Sequence, residues 1–283
     1  MGWHPETLYQ SGISPDNLEV ASMNTLLLVL LMVFLYMSLF FLIAVVRKDN
    51  SLADIAWGGG FVLIAFVTFL LAPGYAEARQ VLATGLVTLW GLRLAIYIHF
   101  RNLGRGEDYR YAKWRKDWGK NFLIRSFLQV FMLQGALMIL IASSVIFINL
   151  NPARGLTFLD ALGLAIWCVG FFFESVGDFQ LFQFKKDPGN KGRVMRYGLW
   201  KYTRHPNYFG EATMWWGIFL MALSLKGGLV AVLSPLAITF LLLKVSGIPM
   251  LEKKMAETQE GYTEYMKNTS PFFPWFPGKN AGR

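Results

Sequence analysis

Seven runs of roughly 20 apolar residues, at about 24–46, 53–72, 80–100, 124–148, 158–182, 207–225 and 229–248, constrain this chain more than any other feature. At 1.5 Å of rise per residue, each run is long enough as a helix to cross about 30 Å of hydrocarbon. Lipid offers no hydrogen bonds to an open backbone, so such runs become helices that satisfy their own N–H and C=O groups. The composition agrees, since 54% of the 283 residues are hydrophobic and 16% are charged. No polar stretch is long enough for a separate extramembrane domain. The expectation is an all-α polytopic membrane protein of seven transmembrane helices. Residues 1–23 would form an extramembrane segment and residues 24–283 a single membrane domain. The first 23 residues hold no Lys or Arg, which excludes the basic start of a cleaved signal peptide and leaves the first run as an anchor. Gly58, Gly59 and Gly60 interrupt the second run and Arg93 the third.

Charge sets the orientation, because Lys and Arg collect in cytoplasmic loops. With the N-terminus outside and the C-terminus cytoplasmic, Arg47, Lys48, the cluster from Arg101 to Lys120, the cluster from Lys185 to Arg204 and the residues after Pro249 all fall inside. Only Arg79, Arg154 and Lys226 fall outside. The net charge of +9 is then concentrated on one membrane face, where it fits either anionic lipid or an anionic ligand. Residues 105–121 mix charge with Tyr109, Tyr111, Trp114 and Trp118, as an interfacial helix does. The single cysteine, Cys168, excludes an intrachain disulfide and a CxxC site.

Ionisable groups inside a membrane face a polar cavity or a partner. Glu174, Asp178 and Lys185 share one face of the fifth run, Arg93, Tyr97 and Arg101 one face of the third, and Asn207 and Glu211 stand one turn apart on the sixth. These stripes are expected to converge on a cavity open to the cytoplasm. The spacing leaves open a second reading, in which ion pairs such as Arg93 with Glu174 only fix the packing. Between the fifth and sixth runs, residues 185–211 combine glycines, prolines and seven Lys or Arg with Tyr197, Trp200, Tyr202, His205 and Tyr208. Cations and free N–H groups suit phosphate oxygens, aromatic faces suit a planar base, and a helix starting at Pro206-Asn207 adds positive potential for an anion. The chain has no GxGxxG after a strand, no GxxxxGK[ST] and no HExxH. Its three histidines, His4, His99 and His205, are far apart in sequence, so no metal site is expected, and His205 is better suited to contact a cofactor.

The strings ESVGDFQLFQFK and GLWKYTRHPNYFGE within 174–211 resemble the DUF1295 branch of the steroid 5-alpha-reductase and sterol reductase superfamily. DIAWG at 54–58, WGLRL at 90–94, GEDYRY at 106–111 and PMLE at 249–252 extend the resemblance from about residue 50 onward. It implies a seven-helix fold with NADPH bound from the cytoplasm by the half of the chain after about residue 158. The implied cofactor contacts are Asp178, Lys185, Arg193 and Asn207, joined through the RHPNY match by Arg204, His205 and Tyr208. Glu211 would lie near the nicotinamide and substrate, and an acid or hydroxyl, Glu211 or Tyr97, would supply a proton as hydride passes to a C=C bond. The substrate would be steroid-, sterol- or lipid-like and would enter from the bilayer. The resemblance implies a multi-pass location in the inner membrane of a bacterium or the endoplasmic reticulum of a eukaryote.

The chain departs from the superfamily where a Tyr–Glu pair polarises the steroid carbonyl. Trp90 falls where the Tyr belongs, Asp54 is a loose counterpart of the Glu, and an indole donates one N–H but is no acid. Two other functions compete. Arg204 to Gly210, Glu252 and Tyr262-Thr-Glu-Tyr265 are similar to membrane methyltransferases that use S-adenosylmethionine, a ligand without phosphates. A non-catalytic lipid-binding protein would account for the basic face but not for the Glu174/Asp178/Lys185 stripe.

Overall fold

A computed structural model describes residues 15–72 and 76–278. Residues 1–14, most of the expected extramembrane segment, and His4 with them, lie outside the described residues. The described residues are helical and form no β-strand beyond one isolated bridge between Thr203 and Ser270. The helices are α1 (Pro15–Arg47), α2 (Leu52–Leu70), α3 (Ala78–Asn102), α4 (Tyr109–Trp118), α5 (Phe122–Arg125), α6 (Leu133–Ile141), α7 (Ser143–Leu150), α8 (Phe158–Lys186), α9 (Pro206–Leu223), α10 (Leu233–Phe240), α11 (Ile248–Thr258) and α12 (Tyr262–Asn268). A π-helical stretch, Ser126–Met132, joins α5 to α6.

Among the described residues, six helical runs are long and apolar enough to cross a bilayer: Val20–Arg47, Leu52–Leu70, Ala78–Asn102, Tyr109–Ile141, Phe158–Lys186 and Gly228–Thr258. They match the first five expected runs and the seventh, and they make the chain a multi-pass membrane protein. The expected sixth run also forms a helix, α9, of 18 residues. Its first turns carry Asn207, Tyr208 and Glu211, which hold its hydropathy below that of the other six.

The chain divides into two compact units, Met1–Leu156 and Thr157–Arg283. In the first, α2 and α3 touch backbone to backbone, and a β-carbon added to Gly58 would lie 2.5 Å from the Gly91 carbonyl oxygen. Small residues at such crossings are what allow helices without a hydrophobic driving force to pack in lipid. Trp90 is buried beside this contact, edge-on to Phe61 at 5.1 Å. Deeper along the pair, the buried Asn149 side-chain amide donates to Thr68 Oγ1 (2.9 Å) and the Ala65 carbonyl (3.2 Å), while the Asn149 backbone carbonyl accepts from Gln80 Nε2 (2.7 Å).

The second unit is built on α8 and α9. A capping box starts α8, the Asp160 carboxylate accepting from the Thr157 N–H (2.6 Å) and hydroxyl (2.8 Å). Glycines 163, 170 and 177 recur every seven residues along it. A β-carbon on Gly163 would lie 2.5 Å from the Gly217 carbonyl oxygen, and one on Gly170 2.6 Å from that of Gly210. Gly177 faces Pro206 and Asn207, where a β-carbon would fall 3.1 Å from the proline ring. This seam lays the start of α9 against the turn of α8 that carries Glu174 and Asp178.

Candidate functional site

In the second unit the glycine seam brings together two of the polar stripes read from the sequence. Glu174 and Asp178 are buried on α8. Asn207, in the first turn of α9 just after Pro206, donates its amide Nδ2–H to Asp178 Oδ1 at 3.2 Å. The carbonyl oxygen of the same amide, Oδ1, is buried and has no hydrogen-bond partner in the protein. A buried acceptor left in this state costs about 1–3 kcal/mol, so its presence calls for a ligand donor or a bound water. Glu211 follows Asn207 by one turn on the same helix, partly buried. The third stripe belongs to the first unit, where the Arg101 guanidinium lies 5.8 Å from the Tyr97 ring and Arg93 is partly buried on α3.

The basic loop between α8 and α9 is held in place by a few long-range bonds. The Trp200 indole donates to the Gly177 carbonyl (3.1 Å), and Gln180 Oε1 accepts from the Leu199 N–H (2.9 Å). The Tyr265 hydroxyl donates to the Trp200 carbonyl, and Arg196 Nη2 donates to the Gly261 carbonyl (2.7 Å). Trp200, Met195 and Phe184 form a small apolar cluster under the loop. Trp200 is therefore a structural plug, while Tyr197 and Tyr202 remain exposed. Lys185 and Lys186 end α8, and Lys191, Arg193 and Lys201 are exposed on the loop beyond it. Gly192 and Gly198 have φ of 80° and 61°, so the loop turns twice through conformations that favour glycine.

Arg204 and His205 sit deeper than the rest of the loop. The Arg204 side chain is 7% exposed, and its Nε–H donates to Glu252 Oε1 at 2.6 Å while Nη1 donates to the Met266 carbonyl at 2.8 Å. Its backbone N–H donates to the Ser270 carbonyl (2.8 Å). His205 Nε2 lies 3.1 Å from the same Glu252 oxygen. Since a carboxylate only accepts, Nε2 carries the proton. Burial pushes the His205 imidazole below its ordinary pKa, and the opposing pull of Glu252 does not restore it. The ring stacks face to face on Tyr208, with centroids 5.4 Å apart and planes 7° apart. Arg204 thus clamps α11 and α12 to the start of α9, with His205 held in one tautomer beneath Tyr208.

A comparable clamp in the first unit was not legible in the sequence. The Tyr111 hydroxyl donates to Asp54 Oδ1 (2.6 Å), and Arg110 Nη2 donates to Asp54 Oδ2 (2.7 Å). Arg115 makes a two-pronged pair with Glu107 at 2.9 and 2.7 Å, and its guanidinium stands 4.0 Å from the Phe122 ring centroid. Gln180 likewise becomes important only through a contact 19 positions away, and Glu252 and Tyr265, marked in the sequence by a methyltransferase-like string, take their structural roles through contacts 48 and 65 positions away.

Among curated proteins, the chain is similar to the 3-oxo-5-alpha-steroid 4-dehydrogenase 1 of Mus musculus, 39% identical over 66 residues that make up 23% of this chain and 26% of that protein. The Bos taurus protein of the same name is 32% identical over 111 residues, 39% of this chain and 40% of that protein. The chain thus spans well under half the length of these steroid-dehydrogenase relatives. An uncharacterized protein of Schizosaccharomyces pombe is 26% identical over 289 aligned positions, covering 91% of this chain and 82% of that protein. No solved structure matches the chain significantly. The family model described as a protein of unknown function, DUF1295, matches residues 40–269, and the chain belongs to that family.

Proposed function

We propose that this protein is a membrane-embedded reductase that uses NADPH to saturate a C=C bond in a hydrophobic, steroid-, sterol- or lipid-like substrate. The observation that carries the reading is the Asn207 side chain, which gives its N–H to Asp178 and leaves a buried carbonyl oxygen without a donor at the start of α9. A nicotinamide carboxamide or a ribose hydroxyl would provide that donor. The same helix start and the exposed Lys186, Lys191, Arg193 and Lys201 suit phosphate groups. S-adenosylmethionine would leave those cations without a role. The names of the mouse and cattle relatives add oxidoreduction on a 3-oxo steroid as the chemical class.

In this reading Asp178, Lys185, Arg193 and Asn207 hold the cofactor, and Arg204, His205 and Tyr208 keep the start of α9 and its neighbouring loop in place. NADPH, when bound, supplies the hydride. Glu211, one turn beyond Asn207, holds the proton that completes the saturation. Tyr97 on α3 keeps the role of a second, hydroxyl donor, on the strength of the sequence alone. Seven spans, with α9 as the sixth, an external N-terminus and a cytoplasmic C-terminus, complete the proposal, with residues 24–283 as one membrane domain.

Titration of the detergent-solubilised protein with NADPH, followed by fluorescence, tests it. Binding in the micromolar range that weakens in Asn207→Ala and Arg193→Ala is the expected result. Tight binding of S-adenosylmethionine with no response to NADPH would replace the reductase by a methyltransferase, and binding of neither would favour a lipid-binding protein.

A further inference from the structure

The segment after α12, Pro271-Phe-Phe-Pro-Trp-Phe-Pro277, is absorbed neither by the fold nor by the proposed reaction. Prolines at 271, 274 and 277 have no N–H to donate and keep the segment out of a helix. It runs as a strap along residues 202–204. The Arg204 N–H donates to the Ser270 carbonyl (2.8 Å), the Thr203 hydroxyl to the Phe272 carbonyl (2.8 Å), and the Trp275 N–H to the Tyr202 carbonyl (2.9 Å). Phe272 is buried against Phe209, with centroids 5.8 Å apart. The other three aromatic side chains are largely exposed: Phe273 is 68% exposed, Trp275 72% and Phe276 81%.

Three large aromatics exposed within four residues form a patch that water would not favour. Their position along α8 identifies what covers them. Phe209, which meets Phe273 at 6.0 Å, also meets Phe173 on α8 at 5.0 Å, and the neighbouring loop bonds to Gly177 and Gln180. Counted from Phe158, residues 173–180 lie about 22–33 Å along the helix. A hydrocarbon layer about 30 Å thick, entered at Phe158, ends within that interval. The exposed residues of α8 change character just beyond that interval, from Val169, Phe172, Phe179 and Phe182 to Gln183, Lys185 and Lys186. Trp and Phe near the end of an apolar band, with lysines following on the helix just beyond it, have the chemistry of a membrane–water interface.

We infer that Phe273, Trp275 and Phe276 insert into the lipid interface and that the strap is a membrane anchor fixing the level of the 202–207 turn against the bilayer surface. The strap's backbone bonds transmit that level directly to Thr203 and Arg204. The inference rests on α8 crossing the bilayer, and it needs neither NADPH nor a reductase reaction.

Site-specific quenching tests it. In a Cys168→Ser background, Phe276→Cys and, separately, Lys191→Cys are labelled with an environment-sensitive fluorophore, and the full chain is reconstituted in phosphatidylcholine–phosphatidylglycerol vesicles. The label at position 276 should lose emission to lipids spin-labelled near the headgroup and resist aqueous iodide, whereas the label at 191 should show the reverse. Equal iodide quenching at both positions would overturn the anchor. So would stronger quenching at 276 by lipids spin-labelled near the chain ends, which would bury the strap in hydrocarbon. Protection at 276 from all quenchers, with self-quenching that grows with the protein-to-lipid ratio, would instead make a second copy of the chain its partner. Because the readout contains no nucleotide or substrate, failure here leaves the proposed reductase untouched, and failure of NADPH binding leaves the anchor untouched.

Discussion

The chain has two basic, aromatic-rich segments of similar composition, 105–121 in the first unit and 185–211 in the second, and they use their charges differently. In the first, two of the three arginines are absorbed by carboxylates, Arg110 by Asp54 and Asp108 and Arg115 by Glu107, while Arg105, Lys113, Lys116 and Lys120 are exposed. In the second, Arg204 is drawn into a comparable clamp on Glu252 and Arg196 bonds to the Gly261 carbonyl, while Lys186, Lys191, Arg193 and Lys201 are exposed. Composition does not separate a structural network from a ligand site. Within each segment, what separates a clamped cation from an exposed one is whether an acid reaches it, as Asp54 and Glu107 reach Arg110 and Arg115 and Glu252 reaches Arg204.

The sharpest way to break this contrast is to remove the acid from each clamp. Glu252→Ala leaves Arg204, 7% exposed, as an uncompensated buried charge, a change that costs about 3–5 kcal/mol. Asp54→Ala should cost less, about 1–3 kcal/mol, because the Arg110 side chain is 26% exposed and can take up water. Thermal unfolding in detergent measures both, and an equal or larger loss for Asp54→Ala would erase the distinction between the units.

A smaller effect, on binding, separates the two roles directly. Arg193→Ala should weaken NADPH binding by about tenfold, as loss of one charge-assisted hydrogen bond does, with the melting temperature almost unchanged. Arg115→Ala should do the opposite, lowering the melting temperature through lost Glu107 and Phe122 contacts while leaving NADPH affinity intact. Titration and melting curves on the same two variants check the pair, and a binding defect in Arg115→Ala would make the first segment part of the ligand site.

The smallest effect is a pH dependence confined to the second clamp. His205 is buried with its pKa depressed, so the unfolded chain takes up a proton more readily than the folded one. Its contribution is therefore fully present above the ordinary histidine pKa, near 6.5, and is lost as pH falls through the lower folded value. Melting temperature measured from pH 8 to pH 5 should fall on the acid side, and His205→Gln should flatten that part of the profile. An unchanged slope in the variant would assign the pH dependence to other groups.

Much of the fold was legible because it follows from one-dimensional properties. Length and hydropathy mark the helices, and the RHPNYFGE string with its upstream acid and lysine marks the family. The candidate site was legible only in part. The spacing of Asp178 and Asn207 predicted two polar stripes, and the structure joins them through a 3.2 Å hydrogen bond. Trp200 read as a surface for a planar base, yet it is buried and bonded to Gly177, because the loop folds back onto α8. The motif that named Arg204 said nothing of how its guanidinium would be occupied.

The sequence by itself determined that the chain lives in a membrane, that it is helical, and which family it belongs to, because hydrophobic run length and short motifs need no knowledge of what lies nearby in space. Only the tertiary structure decided which charges are consumed and which stay exposed. That depends on contacts such as Arg204 with Glu252, 48 positions apart, which form once glycines spaced by seven residues let α8 and α9 close on each other.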